Sequence, residues 1–455
     1  MPKKKTALTI EERLQQALVP AEEQPYEVLE NWVWVRLESV ASWGSGGTPS
    51  RKHEEYYNGD ILWIKTGELN NGWIYDTEEK ITDEGLKKSS AKLFPPYSVL
   101  IAMYGATIGK VAILGVPATT NQACACAVCN QSLLYMYLFY YCISQKNVFI
   151  EKGKGGAQPN ISQIILKQHP IPLPPLSEQQ RIVERIEELF AKLDEAKERL
   201  QEVADSFAVR KAAILHKAFT GELTKQWRRE NGVSDESWEE KKLGEVGSWL
   251  GGGTPSTSRE EYWENGNILW ITSKDMKSAV IEDTLMKVNE IGVKNSSANY
   301  IEKPALLVVM RSGILRRTFP VAMVKKPFTV NQDLKAIIPD KDDLEFLYWM
   351  LLSNEQRILD TCMKNGTTVE SINSNALKDL TFKCPTLSEQ HEIVRLIDDL
   401  LARERAAQQA AEQALASIDL MKKSILARAF RGELGTNKAS EASALELLKQ
   451  VLAEN

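Results

Sequence analysis

The sequence predicts an α+β protein made by tandem duplication. Two similar α/β domains are each followed by a long helix, and the two helices pair as an antiparallel coiled coil about a pseudo-twofold axis. Five motifs return in the same order about 206 to 211 residues later, and a heptad pattern of apolar residues follows each β-rich stretch. The repeated pairs are Gly46–Ser50 and Gly252–Ser256, Ile61–Ile64 and Ile268–Ile271, Asn121–Gln122 and Asn331–Gln332, Leu176–Gln179 and Leu387–Gln390, and Ile214–Leu223 and Ile425–Leu434.

The repeat and the changes in composition divide the sequence into seven segments. A short helix is expected over 7–19, strand-like runs include Trp32–Leu37 and Val99–Tyr104, and another helix is expected over 133–150. The segments are an N-terminal helix and linker (1–31), a first domain (32–175), a first long helix (176–221), a linker (222–237), a second domain (238–386), a second long helix (387–434) and a C-terminal tail (435–455).

The first long helix is predicted from its cap and its periodicity. Ser177 can cap the N-terminus, apolar residues follow at 4-3-4-3 spacing, and Gly221 marks the end. Arg210 is the one break in the apolar seam. A continuous helix over 178–219 would be ~63 Å long.

The second long helix repeats this pattern, with Glu404 at the place where the first helix has Leu193. Each apolar stripe needs a cover, and the simplest cover is the other helix. In an antiparallel pair, position i would meet roughly position 607 − i, so that large residues face small ones and the helices approach closely. Packing of each helix on its own domain or on another protein is the alternative. The expected seam residues are Ile186, Leu193, Leu200, Phe207, Ile397, Ala407, Ala414 and Ile418.

Composition limits where this chain works and what it binds. The 455 residues carry a net charge of −5, with both signs mixed along the chain. A DNA-binding face must therefore come from patterned basic loops or be completed by a partner. No run approaches ~18 apolar residues, and Met1–Lys5 has no apolar signal core behind it. We expect a cytoplasmic protein without a membrane span.

The six cysteines fit a reducing compartment, and three of them raise the question of a metal site. Cys124, Cys126 and Cys129 form a C-x-C-x-x-C cluster. Metal ligands are rarely exchanged for apolar residues, so we expect these cysteines to pack as small hydrophobes rather than to bind zinc. The matching residues of the second repeat are Leu334, Ala336 and Pro339.

Motifs for catalysis are incomplete. Gly105–Val111 is one residue short of a phosphate-binding loop and lacks its Ser/Thr, and the four histidines are isolated. Phe94–Tyr97 resembles the Asp/Asn-Pro-Pro-Tyr/Phe loop of amino-methyltransferases, but that loop needs a polar first residue to hold the target amine. The chain is expected to be non-catalytic, without a cofactor or metal of its own.

Four loops in each domain carry the short polar and basic side chains that suit contacts with DNA phosphates and base edges. They are the Gly-Gly-Thr-Pro-Ser turn, the loop after the Leu-Trp-Ile strand, the loop at 104–110 or 311–317, and the loop at 152–158 or 364–368. The candidate DNA-contacting residues of the first domain are Thr48, Ser50, Arg51, Lys65, Thr66, Tyr104, Thr107, Lys110, Lys154 and Gln158. Those of the second domain are Thr254, Ser256, Arg259, Ser273, Lys274, Arg311, Arg316, Arg317, Asn365 and Thr367.

The repeated framework and the unequal loops together indicate an asymmetric, bipartite target. Two arms that read the same sequence would have matching loops, and these mostly differ. Arg311, Arg316 and Arg317 are the strongest candidates because arginine is the usual bidentate reader of guanine. Ordinary solvated turn chemistry is the alternative for any single loop residue.

These features closely resemble the specificity (S) subunit of type I restriction–modification systems. The resemblance rests on Gly-Gly-Thr-Pro-Ser in each arm, on Asn160–Ser162, on Pro175–Val183 and its counterpart Leu387–Val394, and on Ala-Phe-x-Gly-Glu-Leu closing both helices. It covers roughly residues 26–435. One departure is Val369–Ile372, which stands where the first arm has Pro-Asn-Ile.

The resemblance implies two target-recognition domains that each read one half of a split double-stranded DNA site, with the long helices as a spacer. It implies two methylation (M) subunits that carry S-adenosylmethionine and flip adenine out for N6 methylation. It further implies restriction (R) subunits that use ATP and magnesium for translocation and cleavage. A coiled-coil adaptor that does not read DNA and a fused methyltransferase are the alternatives. Loss of a half-site on removal of Arg316 and Arg317 would argue against the adaptor, and absence of S-adenosylmethionine binding would argue against the methyltransferase.

Overall fold

The computed structural model describes residues 9–153, 160–364 and 369–454. It contains two compact units: unit 1 comprises 1–200 and 413–455, and unit 2 comprises 201–412. Each long helix therefore contributes one half to each unit. Four candidate DNA-contacting residues lie outside the described residues: Lys154, Gln158, Asn365 and Thr367.

Unit 1 is built on mixed sheets with the orders β2-β9-β6-β7-β4 and β5-β3-β8, beside the antiparallel pair β1-β10. The strands are β1 Val33–Arg36, β2 Ala41–Ser45, β3 Tyr57–Ile64, β4 Trp73–Ile74, β5 Lys80–Ile81, β6 Val99–Ala102, β7 Val111–Leu114, β8 Thr119–Thr120, β9 Cys124–Cys129 and β10 Pro170–Leu173. The central strand β6 is buried along its whole length, as a strand covered on both faces requires.

Helices cover this sheet and complete the core of unit 1. Tyr137 and Tyr141 are fully buried against Phe430, with ring centroids 5.2 and 5.0 Å apart. The helix expected over 133–150 is two helices, because Gln145 leaves helical geometry at φ −90° and ψ 4°. The helices are α1 Ile10–Ala17, α2 Leu37–Val40, α3 Asp83–Lys87, α4 Tyr135–Ser144, α5 Lys146–Lys152, α6 Gln163–Lys167 and α7 Leu176–Asp205, whose residues 201–205 belong to unit 2.

Unit 2 repeats this architecture, with the sheet orders β12-β18-β15-β16 and β14-β13-β17 and the pair β11-β19. The strands are β11 Glu239–Lys242, β12 Gly247–Gly251, β13 Ile268–Ile271, β14 Met286–Val288, β15 Ala305–Val309, β16 Val321–Val324, β17 Phe328–Val330, β18 Leu334–Pro339 and β19 Thr381–Cys384. The helices are α8 Phe207–Phe219, α9 Lys225–Glu230, α10 Glu290–Lys294, α11 Leu344–Ser353, α12 Glu355–Cys362, α13 Ser374–Lys378 and α14 Leu387–Phe430, which continues into unit 1. The predicted tandem α+β repeat is confirmed.

The cysteines of β9 pack in the core of unit 1. Cys124 and Cys126 are fully buried, and Leu334 and Ala336 are buried at the matching places in β18. Burial raises the pKa of the Cys126 thiol to about 12, so the thiol form is favoured. Across the residues that the structure describes, no group of three His, Cys, Asp or Glu side chains is arranged to hold a metal ion.

The first long helix is interrupted where the sequence predicted continuity. Helix α7 ends at Asp205 and α8 begins at Phe207. The guanidinium of Arg210 donates a hydrogen bond of 3.0 Å to the carbonyl oxygen of Val203 and another to the hydroxyl of Ser206. Competition of a side chain for backbone carbonyl groups is a known cause of helix kinks. The same arginine that breaks the apolar seam thus contacts the backbone at the break.

Within each unit the long helices run antiparallel. In unit 1, Lys422 lies 2.6 Å from Asp194 and 5.0 Å from the ring centre of Phe190. The relation 607 − i would pair Asp194 with residue 413 and Phe190 with residue 417. These positions are nine and five residues before Lys422, the observed partner of both. In each helix the side chains lean toward the N-terminus of that helix. Because the helices are antiparallel, the residues that contact each other lie later in the sequence than the relation 607 − i gives.

The seam of α14 differs from the strict heptad expectation. Ile397, Leu401, Ala411 and Ile418 are buried and Gln408 is half-buried, whereas Ala407 is exposed. A straight α-helix drifts by about 20° per heptad relative to a 3.5-residue repeat, which moves the covered side away from Ala407. The other expected seam residues are Ile186, which is buried, and Leu193, Leu200, Phe207 and Ala414, which are half-buried.

The repeated Leu-Ser-Glu-Gln motif joins the start of each long helix to its domain. In unit 1, the side chain of Gln179 accepts from the N–H of Leu134 at 2.9 Å and donates to the carbonyl oxygen of Ser132 at 2.9 Å. In unit 2, Gln390 accepts from the N–H of Asp343 at 2.8 Å and donates to the carbonyl oxygen of Pro385 at 3.0 Å. Both glutamines are buried.

The C-terminal tail forms helix α15, Ala444–Glu454, which packs in unit 1. Leu448 is fully buried, and the Ala444 N–H donates to the Asn31 carbonyl oxygen at 3.0 Å. The tail therefore packs against the N-terminal segment rather than fraying. Within the described part of the chain, no helix combines the length and apolar character that crossing a bilayer would need.

Candidate nucleic-acid interface

The Gly-Gly-Thr-Pro-Ser turn requires glycine because its backbone lies against a neighbouring strand end. A Cβ added at Gly46 would lie 1.8 Å from the carbonyl oxygen of Thr120, and one at Gly252 would lie 1.8 Å from that of Val330. Such distances are impossible for a larger residue without movement of the backbone. The repeated glycines therefore fix the position of the turn and bring its Thr and Ser residues to the surface.

A tryptophan joins this turn to the second loop in each unit. The Trp63 indole N–H donates to the Gly47 carbonyl oxygen at 2.9 Å, and the Trp270 indole N–H donates to the Gly253 carbonyl oxygen at 3.2 Å. Both tryptophans are buried. This contact explains why Ile-Leu-Trp-Ile recurs, and it places the loop after that strand beside the turn.

The repeated Asn-Gln dipeptide and the residue after it form a junction that we call the Asn-Gln hub. In unit 1, Gln122 accepts a hydrogen bond from the Thr48 hydroxyl in the first loop. The Asn121 N–H donates to Ile64, just before the second loop, at 3.0 Å, and the carbonyl oxygen of Ala123 accepts from Met103, just before the third loop, at 2.9 Å. The hub thus brings three loops to one edge of the unit.

Unit 2 has the same hub. The Thr254 hydroxyl donates to Gln332 at 2.8 Å. The Asn331 N–H donates to the Ile271 carbonyl oxygen at 3.0 Å, and the Met310 N–H donates to the Asp333 carbonyl oxygen at 2.8 Å. Sequence reasoning found this dipeptide as a repeat marker but missed its role. The strict repetition of two polar residues before a strand was the signal that could have revealed it.

The end of the fourth loop joins the same edge in both units. The Ile161 N–H donates to Met103 at 2.9 Å, and the Ile372 N–H donates to Met310 at 2.8 Å. Tyr104 forms an isolated antiparallel bridge with Asn160, as Arg311 does with Ser371. Despite their different sequences, Asn160–Ser162 and Ser371–Asn373 therefore occupy equivalent places.

Most candidate DNA-contacting residues within the described ranges are accessible at this edge. Those that are exposed are Thr48, Ser50, Arg51, Tyr104, Thr254, Ser256, Arg259, Lys274, Arg311, Arg316 and Arg317. Those that are half-buried are Lys65, Thr66, Thr107, Lys110 and Ser273. Thr48 and Thr254 also hold the turn through the hub, so their hydroxyl protons are already committed.

Acidic partners that sequence reasoning missed hold several of the cations. In unit 1, Glu79 contacts Arg51 at 2.7 Å and Lys65 at 2.9 Å. Hydrogen bonds from Arg51 and then Lys65 lower the pKa of the Glu79 carboxyl group. These carboxylate contacts orient the cations, and they also reduce the net positive charge of the first and second loops.

In unit 2, Arg316 pairs with Glu370, and this hydrogen bond lowers the pKa of the glutamate. Arg259 lies 3.6 Å from Glu261 and donates to the Tyr262 hydroxyl at 2.8 Å. Among the residues described, neither Arg311 nor Arg317 forms an ion pair. These two exposed arginines keep their donors available, and the edge of unit 2 can offer guanidinium groups to phosphates or to guanine.

Known proteins are similar to this chain in sequence and in fold. Residues 29–205 and 235–414 match the family described as type I restriction modification DNA specificity domain. The chain is 40% identical to the EcoR124I/EcoR124II specificity subunit of Escherichia coli over 35% of this chain and 39% of that protein. It is 25% identical to the EcoKI specificity subunit of Escherichia coli (strain K12) over 93% of this chain and 96% of that protein.

The fold resembles that of the HsdS subunit from Thermoanaerobacter tengcongensis, with a TM-score of 0.65 and 20% identity over 90% of this chain and 100% of that chain. The family match takes in both globular domains and part of each long helix. The chain therefore belongs to the type I restriction–modification DNA specificity family.

Proposed function

We propose that this chain is the DNA-reading subunit of a type I restriction–modification complex and that its two units read the two halves of an asymmetric, bipartite duplex site. The single observation that carries this proposal is the Asn-Gln hub. It brings the candidate loops to one edge in each unit, on a shared framework with different loop side chains.

The geometry supports a division of labour among the loop residues. Backbone N–H groups and short hydroxyl side chains in glycine-containing turns approach phosphates closely and set the register on the duplex. Arginine forks distinguish guanine from the other bases in the major groove. The long helices, over 176–221 and 387–434, would serve as the spacer that fixes the gap between the half-sites.

The chemistry on DNA belongs to partners in this proposal. Two methylation subunits with S-adenosylmethionine would modify adenine, and restriction subunits with ATP and magnesium would translocate and cleave DNA. This chain would be a non-catalytic, cytoplasmic recognition subunit that directs them. Support comes from the family match, and from relatives whose names describe them as specificity subunits of type I restriction enzymes.

The test is a genome-wide map of N6-methyladenine in cells that co-express this chain with a methylation subunit with which it forms a complex. The expected result is one asymmetric motif of two short blocks around a fixed unspecified gap. A continuous single-block motif would contradict reading by two arms. A stable complex without any sequence-dependent methylation would contradict the specificity role and favour an adaptor.

A further inference from the structure

The carboxylate of Glu79 bridges two cations from different DNA-facing loops. One of its oxygens lies 2.7 Å from an Arg51 Nη1 atom, and the other lies 2.9 Å from the Lys65 Nζ atom. We call Arg51, Lys65 and Glu79 the Glu79 triad. The contact with Glu79 occupies one side of the guanidinium, so Arg51 keeps N–H donors for a further bidentate contact.

Aromatic rings hold the other face of Arg51. Its guanidinium carbon lies 4.4 Å from the ring centre of Tyr57 and 5.1 Å from that of Trp63. Because the Trp63 indole N–H is bonded to Gly47, this stack is tied to the Gly-Gly-Thr-Pro-Ser turn. The side chain of Arg51 is nevertheless 56% exposed, beside an open cavity of about 350 Å³ that gives a ligand access to it.

The charge of the triad favours recognition over general attraction. Phosphate contacts gain affinity from uncompensated positive charge. Glu79 cancels one of the two positive charges, and Glu78 lies 3.4 Å from Lys65, so the local balance is close to neutral. Such a cluster adds little to affinity for the DNA backbone. A guanidinium held at two sides is, however, suited to reading a base edge.

The two units differ in the triad although they share the surrounding framework, as expected for residues that read different half-sites. Leu62 pairs with Lys80 in unit 1, and the equivalent Leu269 pairs with Lys287 in unit 2. The residues before these two lysines are therefore equivalent, and Met286 occupies the position that Glu79 has in unit 1. The residues that replace the triad in unit 2 are Thr257, Thr272 and Met286. All three members are absent together, although the Trp-to-turn contact beneath them is kept.

We propose that Glu79 is a positioning residue for base recognition: it holds Arg51 in the orientation that reads one guanine of the half-site bound by unit 1. This inference rests on the proposed function, since it assumes that the complex reads DNA. The bidentate contact would come from Arg51 alone. Glu79 would act only by orienting Arg51. Its negative charge, taken alone, would repel DNA.

The test uses the complete methylation complex with duplexes in which every specified base pair of the site is varied in turn. The variants are Glu79→Gln and Arg51→Lys, with Asp76→Asn as the matched control. Asp76 lies in the same loop and pairs with Lys80 at 3.0 Å, and among the described residues it forms no ion pair with a member of the triad. We expect Glu79→Gln and Arg51→Lys to lower discrimination at the same single base pair of one half-site by about tenfold, within the range of one bidentate contact. Asp76→Asn should leave discrimination unchanged.

Three results would overturn the inference. One is uniformly tighter binding of Glu79→Gln to all duplexes with discrimination unchanged, which would make the glutamate a simple repulsive charge. The second is an equal loss at every base pair accompanied by a lower melting temperature, which would make its role structural. The third is loss of discrimination by the two variants at different base pairs. A wild-type complex without any preferred bipartite site would instead refute the proposed function itself.

Discussion

Arg210 and Glu404, the two residues that interrupt the apolar seams of the long helices, form an ion pair with each other in unit 2. Their side chains are 33% and 26% exposed, so each is partly removed from water. The guanidinium also bonds to Val203 and Ser206 at the helix break. The two interruptions of the heptad pattern therefore contact each other. This ion pair favours the observed register of the two helices over registers that would leave one of the two charges unpaired.

Replacement of either member of this pair alone is expected to destabilise unit 2 by about 1–2 kcal/mol, because the remaining charge loses its partner in a half-buried place. The variants are Arg210→Met and Glu404→Leu, and the double variant should recover most of the loss. A double-mutant cycle of urea unfolding measures the coupling. The exposed pair of Arg403 with Asp399, 2.8 Å apart on the same helix, is the control and should show coupling near zero. Equal coupling in both pairs would refute a special role for the seam pair.

The buried glutamates of the two Leu-Ser-Glu-Gln motifs should respond differently to neutralisation. Glu389 accepts from Arg228 at 2.7 Å and from Thr224 at 2.6 Å, and the arginine side chain is only 7% exposed. Glu178 instead accepts from the Trp32 indole at 3.0 Å, and burial raises its pKa.

We expect Glu389→Gln to cost about 2 kcal/mol, because it leaves a buried guanidinium undercompensated, and Glu178→Gln to cost less than about 1 kcal/mol. Thermal unfolding of the two single variants beside the wild type provides the measurement. Equal losses would show that the two motifs tolerate neutralisation alike in spite of their different partners.

The repeat made the tandem fold predictable because buried strands and amphipathic helices leave local patterns. Ser177, which was expected to cap the first long helix, lies inside it, because α7 begins at Leu176. The heptad spacing located the apolar faces, yet it could not reveal the break at Ser206, which depends on where the side chain of Arg210 folds back. The exposed position of Ala407 reflects the drift of a straight helix, which a strict heptad count ignores. The loops were found from composition. Their acidic partners, Glu79 and Glu370, were missed because no local motif marks a contact between distant loops.

Buried His169 should make unit 1 sensitive to acid. Its side chain is 3% exposed, and Lys152 lies 3.2 Å from its Nδ1 atom. Burial, and then the charge of Lys152, lower the pKa of His169 from 6.5 to about 3. Below pH 6.5 His169 is therefore protonated in the unfolded chain but stays neutral in the folded protein. The free energy of unfolding then falls by about 1.4 kcal/mol for each unit of decrease in pH, until about pH 3.

His169→Gln should remove this contribution, so that its stability changes less between pH 7 and pH 5 than that of the wild type, whatever its absolute value. The measurement is the urea midpoint as a function of pH. His391→Gln is the control, since that side chain is 61% exposed. An unchanged slope in His169→Gln would mean that the imidazole takes up its proton as readily in the folded protein as in the unfolded chain.

The arginines of the third loop in unit 2 offer a test that separates base reading from phosphate binding. Arg317 is exposed and free of carboxylate partners among the described residues, and its N–H is bonded to Ile314, which fixes the backbone. A lysine there keeps the charge but loses the planar fork. If Arg317 reads a guanine, Arg317→Lys should lower discrimination at one base pair of the second half-site by roughly 1–3 kcal/mol and leave the salt dependence of binding nearly unchanged. If it contacts a phosphate, Arg317→Lys should behave like the wild type, whereas Arg317→Ala should weaken binding to all sequences and reduce the salt slope by about one.

Arg229→Ala is the control. It removes the same charge from an exposed place on α9, outside the four loops, and should change neither the discrimination between base pairs nor the salt dependence of binding. We expect the base-reading result because no side chain among the described residues occupies the guanidinium donors of Arg317, whereas Glu370 occupies one of those of Arg316. Equal affinity and equal discrimination in all three variants would argue against a role for Arg317 in DNA binding.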